Sequence, residues 1–198
     1  MRILLFDNHD SFTWNLAHEL ERVDSSVSVE VKTAEEMPHE IVEYIGGFDA
    51  VVLSPGPGMP AEAKLLMEVL DISIESSKPV LGICLGLQAI VEHFGGELEN
   101  LDEVLHGRVT KMNWVGECEP SGVLAGVQFP CSVGHYHSWV ASEENFPEEL
   151  MIEASNDKGL IMAVCHKTLP VRGFQFHPES ILTPDGRPML RAWLNLVS

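Results

Sequence analysis

The pentapeptide Gly82-Ile83-Cys84-Leu85-Gly86 constrains this chain more than any other stretch. It follows the apolar run Pro79-Val80-Leu81 and leads into a helix-compatible segment, Leu85 to Phe94. Glycines two before and two after one residue, between a strand and a helix, fit a nucleophile elbow. The turn is sharp, and a Cβ at either flank would crowd it. It pushes one side chain out at the end of a sheet, and here that side chain is a thiol. Most cysteines are small apolar core residues. Cys118, Cys131 and Cys165 have no comparable surroundings and are read as structural or incidental.

The order of elements around the elbow predicts an α/β sheet. Strand-like apolar runs fall at Ile3–Phe6, Val27–Val31, Ala50–Leu53 and Val80–Ile83. Helix-compatible segments lie between them near Phe12–Val23, His39–Ile45 and Ala61–Ser76. This alternation argues for a mostly parallel central sheet with helices on both faces. The stretch from Asn100 to Pro170 is richer in Gly, Pro and short β-like runs, a β-rich excursion in the second half within the same domain. A final helix is expected at about Pro188–Leu196, and residues 1–198 read as one domain. The motifs at 7–13, 54–60 and 84–88 all follow strands, so one site at the carboxyl edge of the sheet collects them.

A catalytic thiol needs a base. Among nine histidines, His177 stands out, because the strand-like Val171–Phe176 delivers it as His177-Pro178-Glu179. In extended chain residues i and i+2 point the same way, which sets Glu179 beside the imidazole. That gives nucleophile, base and a carboxylate that orients the base, and an imidazolium favours the reactive thiolate. Acyl transfer also needs donors for an oxyanion. The backbone N–H of Leu85, just after the nucleophile, is one. Gly58, in the stiff loop Ser54-Pro55-Gly56-Pro57-Gly58, is the candidate for the second. Gln88 lies one helical turn beyond Cys84, placed either to bind a small polar substrate or simply to face water.

These motifs together resemble the class I (triad) glutamine amidotransferases, and more closely the glutaminase subunit of anthranilate synthase and aminodeoxychorismate synthase. The likeness covers essentially the whole chain. It is carried by Asp7 to Thr13, Leu53 to Gly58 with Pro60, Gly82 to Gln88, His106-Gly107 as a partner-facing loop, Tyr136-His137-Ser138 and Gly173 to Thr183. The resemblance implies a flavodoxin-like fold and hydrolysis of the glutamine side-chain amide through a γ-glutamyl thioester on Cys84. His177 would be base and acid, and Glu179 its orienter. Gly56, Pro57, Gly58, Leu85, Gln88, Ser138 and Trp139 would surround glutamine, the last two largely through backbone. Ammonia would pass to a separate chorismate-using synthase subunit in a hetero-oligomer, giving anthranilate or 4-amino-4-deoxychorismate. No cofactor is implied for this chain, and Mg²⁺ is expected on the synthase partner. The sequence departs from the family pattern at His9, Leu87, Arg108 and His135, none of them in the triad.

Composition limits the alternatives. Twelve basic against 30 acidic residues give a formal charge of −18, which disfavours nucleic acid and anionic membrane surfaces. No run approaches the roughly 20 apolar residues of a membrane span. Four irregularly spaced cysteines suit free thiols in a reducing, cytoplasmic setting. Cys131, His135 and His137 supply three metal-ligating side chains but no evident fourth, so no metal site is expected. Two other functions fit parts of the pattern: a stand-alone Cys-His-Glu hydrolase of another γ-glutamyl or related substrate, and a silent regulatory subunit. The Ser180-Ile181-Leu182-Thr183 continuation argues against the first, and the intact triad against the second.

Overall fold

Short runs of apolar residues, too short for helices, give this chain its central strands, and each carries core residues on both faces. In β1 (Arg2–Asp7), Ile3 and Leu5 join one apolar cluster while Leu4 and Phe6 join another. A strand buried on both sides belongs in the middle of an α/β sandwich. The computed structural model describes residues 1–116 and 120–198. Cys118 lies outside the described residues.

After β1 come α1 (Thr13–Val23), β2 (Ser28–Thr33), α2 (Ile41–Gly46), β3 (Ala50–Leu53), α3 (Leu66–Glu75), β4 (Val80–Ile83) and α4 (Leu85–His93). The second half supplies β5 (Leu98–Trp114), β6 (Cys131–Ala141), β7 (Leu150–Asn156), β8 (Ile161–His166), β9 (Val171–Phe174) and α5 (Gly186–Val197). The nine strands among the described residues form one sheet in the order β2-β1-β3-β4-β9-β8-β7-β5-β6. Strands β2, β1, β3, β4 and β9 run parallel, and β8, β7, β5 and β6 continue the sheet in antiparallel pairs. The α/β class and the helices on both faces are as predicted. The sheet as a whole is mixed, because the β-rich excursion of the second half extends it with antiparallel strands.

One face is covered by α1 and α5, whose Leu16, Leu20, Leu190 and Trp193 are buried against Ile3, Val52 and Ile83. The other is covered by α2, α3 and α4, through Ile45, Leu70, Ile90 and their neighbours. Each such side chain, removed from water, contributes on the order of 2 kcal/mol.

Three local expectations are corrected. The helix predicted from Ala61 begins at Leu66, because Leu65 adopts a left-handed φ of 63° that no α-helix continues through. Residues 60–62 form only a short 3₁₀ turn. His106-Gly107, expected in a loop, lies within β5, where Gly107 (φ 63°) sits at a register shift against β6. The strand read as Val171–Phe176 ends at Phe174.

Candidate active site

Cys84 is the residue at which β4 turns into α4. Its φ of 53° and ψ of −99° are strained for an L-residue, the signature of an elbow. The glycine pattern has a direct steric cause. A Cβ on Gly82 would lie 2.4 Å from the carbonyl carbon and oxygen of Gly86, and one on Gly86 would lie 2.6 Å from the Leu53 oxygen. Two backbone bonds hold the elbow: Cys84 N–H donates to the Phe174 carbonyl at 2.7 Å, and Gln88 N–H to the Cys84 carbonyl at 3.1 Å. The thiol therefore sits at the N-terminal end of α4, where unpaired amides favour negative charge.

Beside it the loops after β1 and β3 are knitted together. Asn8 donates its backbone N–H to Ser54 Oγ at 2.8 Å and its side-chain amide to the Ser54 carbonyl at 3.0 Å. Gly56 lies so close to Asn8 and Leu85 that a Cβ would stand 2.6–2.8 Å from them. Gly58 has φ 76°, a conformation that glycine adopts without strain.

His177 is 1% exposed, and its Nδ1 lies 2.7 Å from Glu179 Oε1. The sequence-based reason for this pairing is corrected. Residues 178–179 form a turn, closed by Ser180 N–H donating to the His177 carbonyl at 3.2 Å, and the turn, not extended chain, brings Glu179 back to the ring. Thr183 Oγ1 donates to the same carbonyl at 2.7 Å. Phe12 and Tyr136 pack edge-on against the imidazole at centroid distances of 5.8 and 4.9 Å. Burial opposes a charge on His177, but the Cys84 sulfur and Glu179 outweigh it and push its pKa up to about 10. His177 Nε2 has not closed a hydrogen bond of standard geometry. Such looseness is common in a nucleophile–base pair before substrate arrives.

A cavity of about 310 Å³ opens over the sulfur. Among the predicted residues it is lined by Gly56, Pro57, Gly58, Cys84, Gln88, Ser138 and Trp139, joined by Val104, Tyr136 and His137. Leu85 is not in that lining, its side chain being buried against the Gly56 loop. Gln88 is only 2% exposed, so it does not simply face water. Its NH₂ donates to the Trp139 carbonyl at 2.8 Å and to Gln175 Oε1 at 3.3 Å, which leaves only its oxygen to meet a ligand.

Gln175 and Phe12 were not singled out from sequence. Gln175 is fully buried with Nε2 3.6 Å from Cys84 Sγ. A glutamine inside an otherwise apolar strand was the available signal, since a buried amide requires partners. His135 and His137 lie on β6 with His135 Nδ1 3.0 Å from His137 Nε2 and His135 Nε2 2.8 Å from Thr110 Oγ1. Burial pushes their pKa values down to about 4 and about 3, helped at both by the nearby His177 and at His137 also by His135. Among the described residues no group of three His, Cys, Asp or Glu could hold a metal ion, nor is any helix long and apolar enough to cross a membrane.

Known proteins resemble this chain in both sequence and fold. Over 195 residues the chain is 37% identical to the "Bifunctional protein TrpGD" of Thermotoga maritima, covering 98% of this chain but only 32% of that longer protein. It is 38% identical over 197 residues to "Anthranilate synthase component 2" of Mycobacterium tuberculosis, covering 82% of it. It is 37% identical over 205 residues to the protein of the same name from Leptospira biflexa, covering all of it. Among solved structures, a putative GMP synthase protein from Thermoplasma acidophilum matches with a TM-score of 0.85 at 24% identity, over 100% of this chain and 94% of that one. A glutamine amidotransferase from Thermotoga maritima matches with a TM-score of 0.82 at 15% identity, over 100% and 97%. These two likenesses speak for the fold. With residues 4–196 matching the family model "Glutamine amidotransferase class-I", the chain belongs to the class-I glutamine amidotransferase family.

Proposed function

We propose that this chain is the glutaminase subunit of an anthranilate synthase. The observation that carries the reading is the buried His177–Glu179 pair at 2.7 Å, set beside a thiol on a strained elbow under a small cavity. The names of the relatives support the choice of anthranilate over aminodeoxychorismate.

In this reading the Cys84 sulfur attacks the side-chain carbonyl carbon of glutamine. The backbone N–H groups of Gly58 and Leu85 receive the oxyanion. His177 gives its proton to the departing nitrogen, the C–N bond breaks and ammonia leaves. Water then attacks the γ-glutamyl thioester, His177 takes a proton from it, and glutamate and the thiolate are released. Glu179 keeps the imidazole in the orientation both steps need. Gly56, Pro57, Ser138 and Trp139 enclose the substrate, and Gln88 offers it the carbonyl oxygen of its amide.

Ammonia passes to a chorismate-using synthase subunit in a hetero-oligomer. That partner carries Mg²⁺, and this chain uses no cofactor. The setting is cytoplasmic, consistent with the free thiols Cys84, Cys131 and Cys165. The test is glutamate release with and without chorismate plus a chorismate-binding synthase subunit, followed by product identification. We expect low release alone, strong stimulation by the partner, anthranilate as product, and at least about a thousandfold loss in Cys84→Ala. Equal release by Cys84→Ala, or none with any partner, would overturn the reading.

A further inference from the structure

Gln175 touches the reacting sulfur, and the direction of its amide follows from its neighbours. The oxygen and nitrogen of a glutamine amide are nearly alike in shape, so its orientation must come from hydrogen-bond partners. Here the chain of bonds starts from a group with no choice. The Trp139 carbonyl can only accept, and it lies 2.8 Å from Gln88 Nε2. That fixes the NH₂ end of Gln88. The same NH₂ lies 3.3 Å from the Gln175 amide, so the atom facing it is Gln175 Oε1. The Gln175 NH₂ is then directed at Cys84 Sγ, 3.6 Å away. Reversing Gln175 would set its oxygen against the sulfur and its NH₂ against another NH₂.

We propose that Gln175 is a catalytic residue whose amide N–H stabilises negative charge on the Cys84 sulfur. This rests on the thioester reading above. The sulfur carries that charge twice in the cycle: as the thiolate before attack, and again when the thioester C–S bond breaks and its electron pair returns to sulfur. His177 serves the proton transfers, and Gln175 supplies a neutral donor that does not itself titrate. Both Gln175 and Gln88 are withdrawn from water, where a hydrogen bond to a charged group counts for more. The titratable groups near the sulfur are His177 with Glu179 behind it, and His137 across the cavity on β6.

The test compares wild type with Gln175→Met, which fills a similar volume without a donor. Alkylation of Cys84 by iodoacetamide near neutral pH, followed by mass spectrometry of the Cys84 peptide, reads the thiolate directly. Cys131 and Cys165 are buried, with pKa values pushed up to about 11, and so react slowly. Alkylation is expected to slow by about tenfold. In complex with the synthase subunit, kcat is expected to fall by about tenfold with KM changed by less than about twofold. Alkylation and kcat both within about twofold of wild type in folded Gln175→Met would overturn the proposal. A second variant, Gln88→Met, keeps Gln175 but frees its amide to rotate. It should slow alkylation by about threefold, and no change there would also overturn the proposal, even if Gln175→Met fails to fold. Alkylation needs neither glutamine nor partner. A wild type without glutaminase activity would therefore defeat the functional reading while leaving the sulfur contact separately tested.

Discussion

Two sites in this molecule bury histidine rings, and they hold opposite charge states. His177, just beyond β9, is 1% exposed and has its pKa pushed up to about 10. His135 and His137, on β6, are as deeply buried, yet theirs fall to about 4 and about 3. Burial disfavours the charged form at both sites. What differs is the company. His177 faces Glu179 and the Cys84 sulfur, whereas the β6 pair face each other and the neutral hydroxyl of Thr110. One site is built to keep a proton, the other to exclude one. Depth of burial alone says little about chemistry; the charge that meets the ring decides.

The largest effect should come from removing that charge. Glu179→Gln removes the carboxylate and leaves His177 with the Cys84 sulfur alone to oppose burial. Its pKa, followed by NMR, should fall clearly below about 10, and glutaminase turnover should fall by about 10²–10⁴-fold. A His177 pKa that does not move in this variant would break the comparison.

The next effect lies in stability against pH, where the two sites have opposite signs. His177 has a raised folded pKa, so it stabilises the fold fully below about 6.5 and loses that contribution as pH rises toward about 10. His135 and His137 have depressed folded pKa values, so their contribution is complete above about 6.5 and is lost as pH falls toward about 4 and about 3. Thermal melts of wild type and His135→Gln across the acid range should show a shallower acid loss in the variant. Parallel slopes would mean that the pair does not resist protonation.

The smallest effect concerns Thr110, whose hydroxyl is 2.8 Å from His135 Nε2. Thr110→Val leaves a buried ring nitrogen without its partner and should cost about 1–2 kcal/mol in denaturant unfolding. Turnover should stay within about twofold of wild type. A large loss of turnover would assign the β6 pair a part in the chemistry and erase the contrast with His177.

The parallel half of the fold was legible because each strand there is a short apolar run followed by a helix-length segment. The antiparallel half was not. β5 is 17 residues long and exposed along much of both faces, so it shows neither a continuous apolar run nor a clean alternation. At the site, the glycines around Cys84 could be read directly, since their cause is local crowding. The pairing of His177 with Glu179 could be named, but the turn that makes it could not, because His177 N–H and the Ser180 hydroxyl are held by Gly134 and Tyr136 of the distant β6. Gln175 was missed for a related reason. Its meaning depends on Gln88 and Cys84, both some ninety residues earlier, and on the Trp139 carbonyl.

The most direct test of thioester chemistry on Cys84 is rapid acid quenching of the complex during glutamine turnover, with mass spectrometry of the Cys84 peptide. A transient γ-glutamyl adduct on Cys84 should precede glutamate and be absent in Cys84→Ala, which also loses turnover. Glutamate appearing while the Cys84 peptide stays unmodified at every time point, with Cys84→Ala turning over undiminished, would contradict it.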